Sequence, residues 1–164
     1  LLILSACDTI PDGIVPVKDL DISKYAGTWY EIARMDSPFE KHLINVTGTY
    51  GQNGDGSISV QNRGFDTIKN KWDDIDGKAR VADENFKSML TVSFFGPFYS
   101  GYNIIALDKE NYQYAMIAGS DRGYLWILSR TPTMDEAQYQ SLVDKATKLD
   151  FDVSKLVRIP QRSN

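Results

Sequence analysis

The sequence has few of the residues on which most catalytic and metal sites depend. It contains one cysteine and one histidine in 164 residues, so it has no internal disulfide framework and no cysteine-based zinc site. A hydrolase triad needs a base beside its nucleophile, and His42 has no accompanying signature such as G-x-S-x-G. A P-loop and a GxGxxG motif are also missing. We therefore expect neither an enzyme nor a bound metal or cofactor.

A strong charge of one sign is missing as well. The chain has 22 acidic and 18 basic residues, a net charge of −4 and no run rich in lysine or arginine. We expect no nucleic-acid partner, because nothing in the sequence would neutralise a phosphate backbone. With 42% hydrophobic residues, 164 residues suffice for one domain with a sizeable core and are too few for two ordinary domains.

The start of the sequence, LLILSAC, is apolar and ends in small residues, as the end of a signal peptide does. The run is too short to span a bilayer. Leu4-Ser5-Ala6-Cys7 also resembles the bacterial lipobox, in which the cysteine is acylated and becomes the N-terminus after cleavage. A stray cysteine at a frayed terminus is the alternative. The lipobox interpretation makes residues 1–6 a remnant of a lipoprotein signal peptide, residues 7–18 a lipidated tether and residues 19–164 the folded domain.

Eight short apolar or alternating runs follow, separated by clusters of Gly, Asn, Asp and Pro. With no helical segment between them, they predict an antiparallel sandwich or an up-and-down barrel. The runs are Trp29–Met35, Ile44–Gly51, Ser57–Phe65, Ile75–Ala82, Met89–Phe95, Tyr102–Leu107, Tyr112–Ala118 and Tyr124–Ser129.

One helix is predicted after the strands. Thr133 and Glu136 have the spacing of a capping box, which would begin the helix just after Pro132. An apolar stripe then predicts that the helix lies against the outside of the sheet. Residues 156–159 are a candidate final strand. The stripe consists of Tyr139, Leu142, Val143, Ala146 and Leu149.

Several segments resemble the lipocalin family. They are GTWYEIAR (27–34), the hairpins that follow it, and YLWILSRTP (124–132) before a single helix. SFFGPFYSGYNIIALD (93–108) resembles the bacterial lipoprotein group of that family in particular. The likeness covers residues 14–160. It implies an all-β fold, an eight-stranded antiparallel up-and-down lipocalin β-barrel with one C-terminal α-helix packed outside. It also implies a small apolar ligand, a fatty acid or a lysophospholipid, which the barrel would store or transport.

The resemblance also implies a structural role for three residues that close one end of the barrel. Gly27 would let the chain bend as it enters the first strand, and Trp29 would plug the closed end. The family pattern places an arginine of the last strand across that indole, and Arg130 occupies the matching position. Its guanidinium is expected to stack on Trp29 and to bind backbone carbonyls of residues 21–26.

Strand parity predicts the residues that line the interior. If Trp29 faces inward, Glu31 and Ala33 do so too, because alternate residues share a face. A strand face that carries both apolar residues and a carboxylate fits the wall of a cavity better than a close-packed core. Glu31 could equally be a structural carboxylate paired with an arginine. The predicted ligand contacts are Glu31, Ala33, Arg34, Phe39, Leu90, Val92, Phe94, Tyr102, Ile104, Ala106, Ile117, Tyr124, Trp126 and Leu128.

The partners are less narrowly defined by the sequence. Aromatic side chains can also fill a dry barrel, which would make the chain a structural or interaction lipoprotein without a ligand. The turn FFGPFY (94–99) is expected to pack against the helix or the tether, and an apolar patch for a membrane or a homodimer is the alternative.

Acylation of Cys7 would hold the chain in the bacterial cell envelope. We favour the outer membrane, facing the periplasm, although Asp8 after the acylated cysteine would also fit the inner membrane.

Overall fold

Nine strands form one sheet within residues 9–38 and 40–163, which the computed structural model describes. The strands are β1 Gly27–Met35, β2 Leu43–Gln52, β3 Ile58–Asp66, β4 Lys71–Asp83, β5 Phe86–Phe95, β6 Phe98–Leu107, β7 Tyr114–Ala118, β8 Leu125–Ser129 and β9 Leu156–Arg158. Strands β2 to β8 are hydrogen-bonded in chain order, and β1 pairs with both β8 and β2. The first eight strands therefore close into an antiparallel barrel. This confirms the predicted barrel, although β4 and β6 begin earlier than the sequence indicated.

Strand β1 is hydrogen-bonded to three different partners along its length. Its first half pairs with β2, the segment from Tyr30 to Arg34 pairs with β8, and Ala33 to Met35 also pair with β9. The short strand β9 thus extends the sheet where β1 has separated from β2. It falls within the stretch in which the sequence predicted a final strand.

A β-bulge in β1 changes which face its later residues occupy. Glu31 lies opposite Leu128, but Ala33 lies opposite Ile127, only one position away along β8. Because the bulge breaks the alternation, Ala33 packs with Ile127 in a buried cluster beneath the C-terminal helix. The prediction that Ala33 lines the interior is therefore wrong.

A second bulge, in β6, has the same effect on another predicted contact. Ile104 lies opposite Ile117, and Ala106 lies opposite Met116, again one position further along instead of two. Ala106 and Met116 belong to the cluster beneath the helix, while Ile104 and Ile117 belong to the interior of the barrel. The prediction that Ala106 lines the interior is wrong for this reason.

The C-terminal helix α2, Glu136–Lys148, lies against the outside of the barrel through its buried residues Leu142 and Ala146. The helix is capped by Asp135, whose carboxylate accepts hydrogen bonds from the N–H groups of Ala137 (3.0 Å) and Gln138 (3.1 Å). The predicted capping box at Thr133 is therefore wrong. An aspartate is a good N-cap whose charge also suits the positive end of the helix dipole.

The N-terminal segment runs along the outside of β6 before it reaches the short helix α1, Ile22–Tyr25. The carbonyl of Thr9 accepts a hydrogen bond from Asn103 Nδ2 (2.7 Å), and the N–H of Val17 donates to the carbonyl of Ile104 (2.9 Å). A Cβ at Gly101 would lie 2.1 Å from the Thr9 carbonyl oxygen, so this contact requires glycine.

Among the described residues, no helix is long and apolar enough to cross a membrane. Cys7 lies outside the described residues, and the division at residues 6 and 18 stays a prediction.

The two candidate caps of α2 can be separated by mutation. Asp135→Ala removes both capping hydrogen bonds and is expected to lower the free energy of unfolding by about 1 kcal/mol. Thr133→Ala, which the capping-box interpretation would make the costly change, is expected to alter it by less than about 0.5 kcal/mol. Urea unfolding followed by circular dichroism measures both. Equal losses in the two variants would contradict the assignment of Asp135.

Candidate functional site

One end of the barrel is closed around a buried indole. Trp29 is fully buried, and its Nε1 donates a hydrogen bond to the carbonyl of Tyr25 (2.8 Å). The guanidinium carbon of Arg130 lies 3.9 Å from the centre of the Trp29 ring, a stacked cation-π contact. Gly27 has a φ of 104°, and a Cβ there would lie 3.1 Å from Arg130 Nη1. Glycine therefore fits both the backbone angle and the approach of the arginine.

Arg130 also joins separate parts of the chain through backbone carbonyls. Its Nε donates to Tyr112 in the β6–β7 connection (3.1 Å), and its Nη1 donates to Thr28 in β1 (3.2 Å). Its Nη2 donates to Lys24 (2.7 Å) and Tyr25 (3.1 Å) at the end of α1. A single side chain thus satisfies carbonyls of three segments that meet at the closed end.

A layer of three tyrosines lies between Trp29 and the rest of the interior. The ring of Tyr25 lies 5.0 Å from Trp29 and 5.6 Å from Tyr50, and the ring of Tyr50 lies 5.6 Å from Tyr102. The hydroxyls of Tyr25 and Tyr102 are hydrogen-bonded at 2.5 Å. Burial raises the pKa of Tyr50 to about 12 and the pKa values of Tyr25 and Tyr102 well above their usual range. The layer is therefore uncharged at physiological pH.

A cavity of about 180 Å³ occupies the interior on the other side of this layer. It extends towards the end of the barrel that carries the β1–β2, β3–β4, β5–β6 and β7–β8 connections, which we call the mouth. Its walls combine aliphatic and aromatic side chains with a few polar groups. The lining residues are Glu31, Glu40, Thr47, Gly48, Tyr50, Val60, Asn62, Val92, Phe94, Ser100, Gly101, Tyr102, Ile117, Trp126 and Leu128.

Two carboxylates and one guanidinium form a buried charged cluster at the cavity wall. Arg34 Nη1 lies 3.0 Å from Glu31 Oε1, and Arg34 Nε lies 3.5 Å from Glu40 Oε2. Arg34 also donates to the backbone carbonyl of Glu40. Arg34 and Glu31 are only 2% and 5% exposed, and within the described part of the chain Arg34 Nε has no hydrogen-bond partner. Of the two interpretations of Glu31, the pairing with an arginine is present, and the same carboxyl group lines the cavity.

The protonation of this cluster depends on burial. Burial raises the pKa of Glu31 to about 8, the nearby Glu40 carboxylate adds to the rise, and Arg34 opposes it. Burial also raises the pKa of Glu40, where Arg34 and a hydrogen bond from Trp126 act in the opposite direction. A pKa of about 8 keeps Glu31 mostly protonated at neutral pH, so its carboxyl group accepts a hydrogen bond from Arg34 Nη1 without carrying a full charge.

Comparison with known proteins identifies the family. The sequence profile described as a Lipocalin-like domain matches residues 20–161. The outer membrane lipoprotein Blc of Citrobacter freundii is 45% identical over 161 residues, which cover 98% of this chain and 90% of that protein. The outer membrane lipoprotein Blc of Vibrio cholerae is 40% identical over 161 residues, which cover 98% and 94%.

The chain belongs to the lipocalin family.

Comparison with solved structures shows the fold that this lipocalin shares with them. The cockroach allergen Per a 4 superposes with a TM-score of 0.73 at 22% identity, over 94% of this chain and 96% of the allergen. At this identity the likeness shows a shared fold. Together with the closed sheet, it confirms the eight-stranded lipocalin barrel that the sequence predicted.

Half of the predicted ligand contacts line the cavity of this lipocalin. Tyr124 is 45% exposed and stacks beside Trp126, with ring centres 6.2 Å apart, and it does not line the cavity. Leu90 and Ile104 are buried in the interior but outside the cavity lining. Phe39 lies outside the described residues. The predicted residues that do line the cavity are Glu31, Val92, Phe94, Tyr102, Ile117, Trp126 and Leu128, with Arg34 bonded to two of the lining carboxylates.

The sequence analysis did not identify several lining residues. Strands β2 and β3 would have supplied four of them by parity, since Gly48 lies opposite Asn62 and Tyr50 lies opposite Val60. Glu40 comes from the β1–β2 connection and carries no periodic signal that could have placed it against Arg34.

The stack at the closed end can be tested against a similar stack on the surface. Arg130→Ala is expected to lower the free energy of unfolding by about 1–2 kcal/mol, because it removes the cation-π contact and leaves carbonyls unpaired. Arg63 provides a matched control, because its guanidinium carbon lies 4.4 Å from the Trp72 ring and it forms an exposed ion pair with Asp74. Arg63→Ala should cost less than about 1 kcal/mol. Denaturant unfolding that shows no greater loss for Arg130→Ala than for Arg63→Ala would contradict this role.

The raised pKa of Glu31 predicts a dependence of stability on pH. The folded protein keeps this proton up to about pH 8, whereas the unfolded chain releases it near the ordinary value of 4.5. Raising the pH through this interval should therefore reduce the stability of the wild type relative to Glu31→Gln, which has no proton to lose. Arg34, Glu40 and Tyr50 face Glu31 and are unchanged in the variant.

Urea unfolding at several pH values between about 4.5 and 8 measures this difference. Glu84→Gln, at an exposed carboxylate of the β4–β5 turn, serves as the control and should follow the wild type. A wild type and Glu31→Gln whose stabilities run parallel over the whole interval would show that Glu31 does not carry this proton.

Proposed function

We propose that this lipocalin binds a single-chain lipid, a fatty acid or a lysophospholipid, in its barrel, and that it acts as a carrier and not as an enzyme. The observation that supports this most directly is the cavity above the tyrosine layer. Its volume of about 180 Å³ is small beside the roughly 300–1,000 Å³ of common ligand pockets. A slender acyl chain suits such a space better than a bulky ring system.

The walls suggest how the lipid would be oriented. Val60, Val92 and Leu128 provide aliphatic surface, and the uncharged tyrosine layer offers no charge that would oppose a hydrocarbon tail. We therefore place the tail towards the tyrosines. Transfer of this tail from water to the cavity would supply most of the binding free energy.

The polar head would then lie near the charged cluster. Protonated Glu31 lines the cavity and could donate a hydrogen bond to a carboxylate or a phosphate, and Arg34, which contacts Glu31 at 3.0 Å, would supply a positive charge nearby. Trp126 lines the same region of the cavity. This arrangement agrees with a fatty acid or lysophospholipid, both of which join one acyl chain to an oxygen-rich head.

We further propose that Cys7 is acylated and anchors the protein in the outer membrane, facing the periplasm. The support is the lipobox-like Leu4-Ser5-Ala6-Cys7 and the relatives that are named outer membrane lipoproteins. From this position the protein would store a lipid or carry it between membranes. The alternative, a structural lipoprotein with a filled barrel, fits less well with the space left above the tyrosines.

A substitution that narrows the cavity tests the proposed function. Val60 is 3% exposed and lines the cavity, so Val60→Phe should weaken the binding of a fatty acid by about tenfold or more through steric exclusion. The adjacent Gln61 points to the outside of the same strand, and Gln61→Phe should leave the affinity unchanged. Quenching of Trp126 fluorescence during titration reports the affinity.

Thermal unfolding of both variants shows that they are folded before they are compared. Absence of saturable quenching in the wild type would contradict the proposed function. Equal affinity in Val60→Phe and the wild type would place the lipid elsewhere.

A further inference from the structure

Large apolar side chains are exposed at the tips of three connections at the mouth. In the β5–β6 hairpin, Phe95 is 70% and Phe98 is 77% exposed, and in the β3–β4 connection Ile68 is 68% exposed. Tyr124, in the β7–β8 connection, is 45% exposed. We call these four side chains the mouth patch. The expectation that FFGPFY packs against the helix or the tether is wrong for Phe95 and Phe98, which face solvent.

The strand connections at the two ends of the barrel differ in charge. The connections β2–β3, β4–β5 and β6–β7 at the closed end contain four carboxylates and one lysine, a net charge of −3. The four connections at the mouth contain three carboxylates, two lysines and one arginine, which balance. Of these connections, those at the mouth would therefore be repelled less by an anionic surface.

The N-terminal segment meets the barrel on the mouth side of its middle. Thr9 lies against Gly101 and Asn103 of β6, a strand that starts at the mouth with Phe98. Gly101 is in turn joined to the β7–β8 connection, because its N–H donates to Ser120 Oγ (2.8 Å). A lipid anchor two residues before Thr9 would hold the mouth towards a bilayer more readily than the closed end.

We propose that the mouth is a docking surface for an anionic phospholipid bilayer, in which the mouth patch enters the interfacial region. Exposed aromatic and aliphatic side chains on protruding turns gain free energy by burial among lipid headgroups and acyl chains. Docking in this orientation brings the cavity next to the membrane, so a lipid could enter without its tail crossing water. This inference rests on the proposed function for its ligand, and it adds a second, separable contact with lipid.

The test uses the full chain with Cys7→Ser, so that no acyl anchor binds the vesicles. Flotation with vesicles of phosphatidylethanolamine and phosphatidylglycerol should recover this protein with the lipid. Phe95→Ser combined with Phe98→Ser should reduce the partition coefficient by about tenfold or more. Val15→Ser combined with Ile75→Ser is the matched control, because these exposed apolar side chains lie away from the mouth connections, and it should bind as the parent does.

Several results would overturn the inference. They are absence of vesicle binding in the parent, unchanged binding in the phenylalanine variant, or an equal loss in the control. Sedimentation that reveals a dimer dissociated by the phenylalanine substitutions, without vesicle binding, would assign the patch to a second copy of the chain. Thermal unfolding confirms that each variant is folded.

A fatty-acid titration separates this inference from the proposed function. Phe95 and Phe98 do not line the cavity, so the variant should bind fatty acid as the parent does. Lost vesicle binding with retained fatty-acid binding supports the docking surface. Loss of both would show that the substitutions act through the cavity and would overturn it, whereas a parent that docks without binding fatty acid would overturn the proposed function only.

Discussion

The contact between Arg130 and Trp29 is the constraint on which the rest of the barrel depends. A barrel open at one end needs its other end sealed, and a fully buried indole beneath a guanidinium provides an apolar plug with a polar outer surface. The carbonyls that Arg130 binds belong to α1, β1 and the β6–β7 connection, so the seal also fixes how these segments meet. With this end fixed, the opposite end can keep open space without loss of the fold.

The two bulges determine which side chains of β1 and β6 face the interior of the barrel. Without the bulge in β1, regular alternation would have kept Ala33 inside and turned Arg34 outward. Glu31 would then have lost the guanidinium that lies 3.0 Å from it. One irregular position therefore gives the buried Glu31 carboxyl group a hydrogen-bonding partner, which is the condition under which burial of a polar group is tolerated.

The bulges and the Arg34–Glu40 contact explain which parts of the structure could be predicted from the sequence. Period-two alternation and turn residues are local signals, so the eight strands and the helix could be predicted from them, whereas the inward face of Trp29 was implied by the resemblance to the lipocalins. A bulge depends on the register between strands that are distant in the chain, which explains why Ala33 and Ala106 were assigned to the wrong face. The position of Glu40 depends on how the β1–β2 connection folds over Arg34, and no local pattern encodes that contact.

The interior is polarised along the axis of the barrel in a way that a filled core would not require. Neutral tyrosines form the floor, aliphatic residues form the walls, and the ionisable Glu31 lines the same cavity with Arg34 in contact behind it. A buried charged group usually adds less to stability than an apolar side chain of the same volume would. Its presence beside a cavity supports the proposal of a ligand that is apolar along most of its length and polar at one end. The mouth patch adds a further layer along the barrel axis, since exposed Phe95 and Phe98 offer apolar surface just beyond the polar wall.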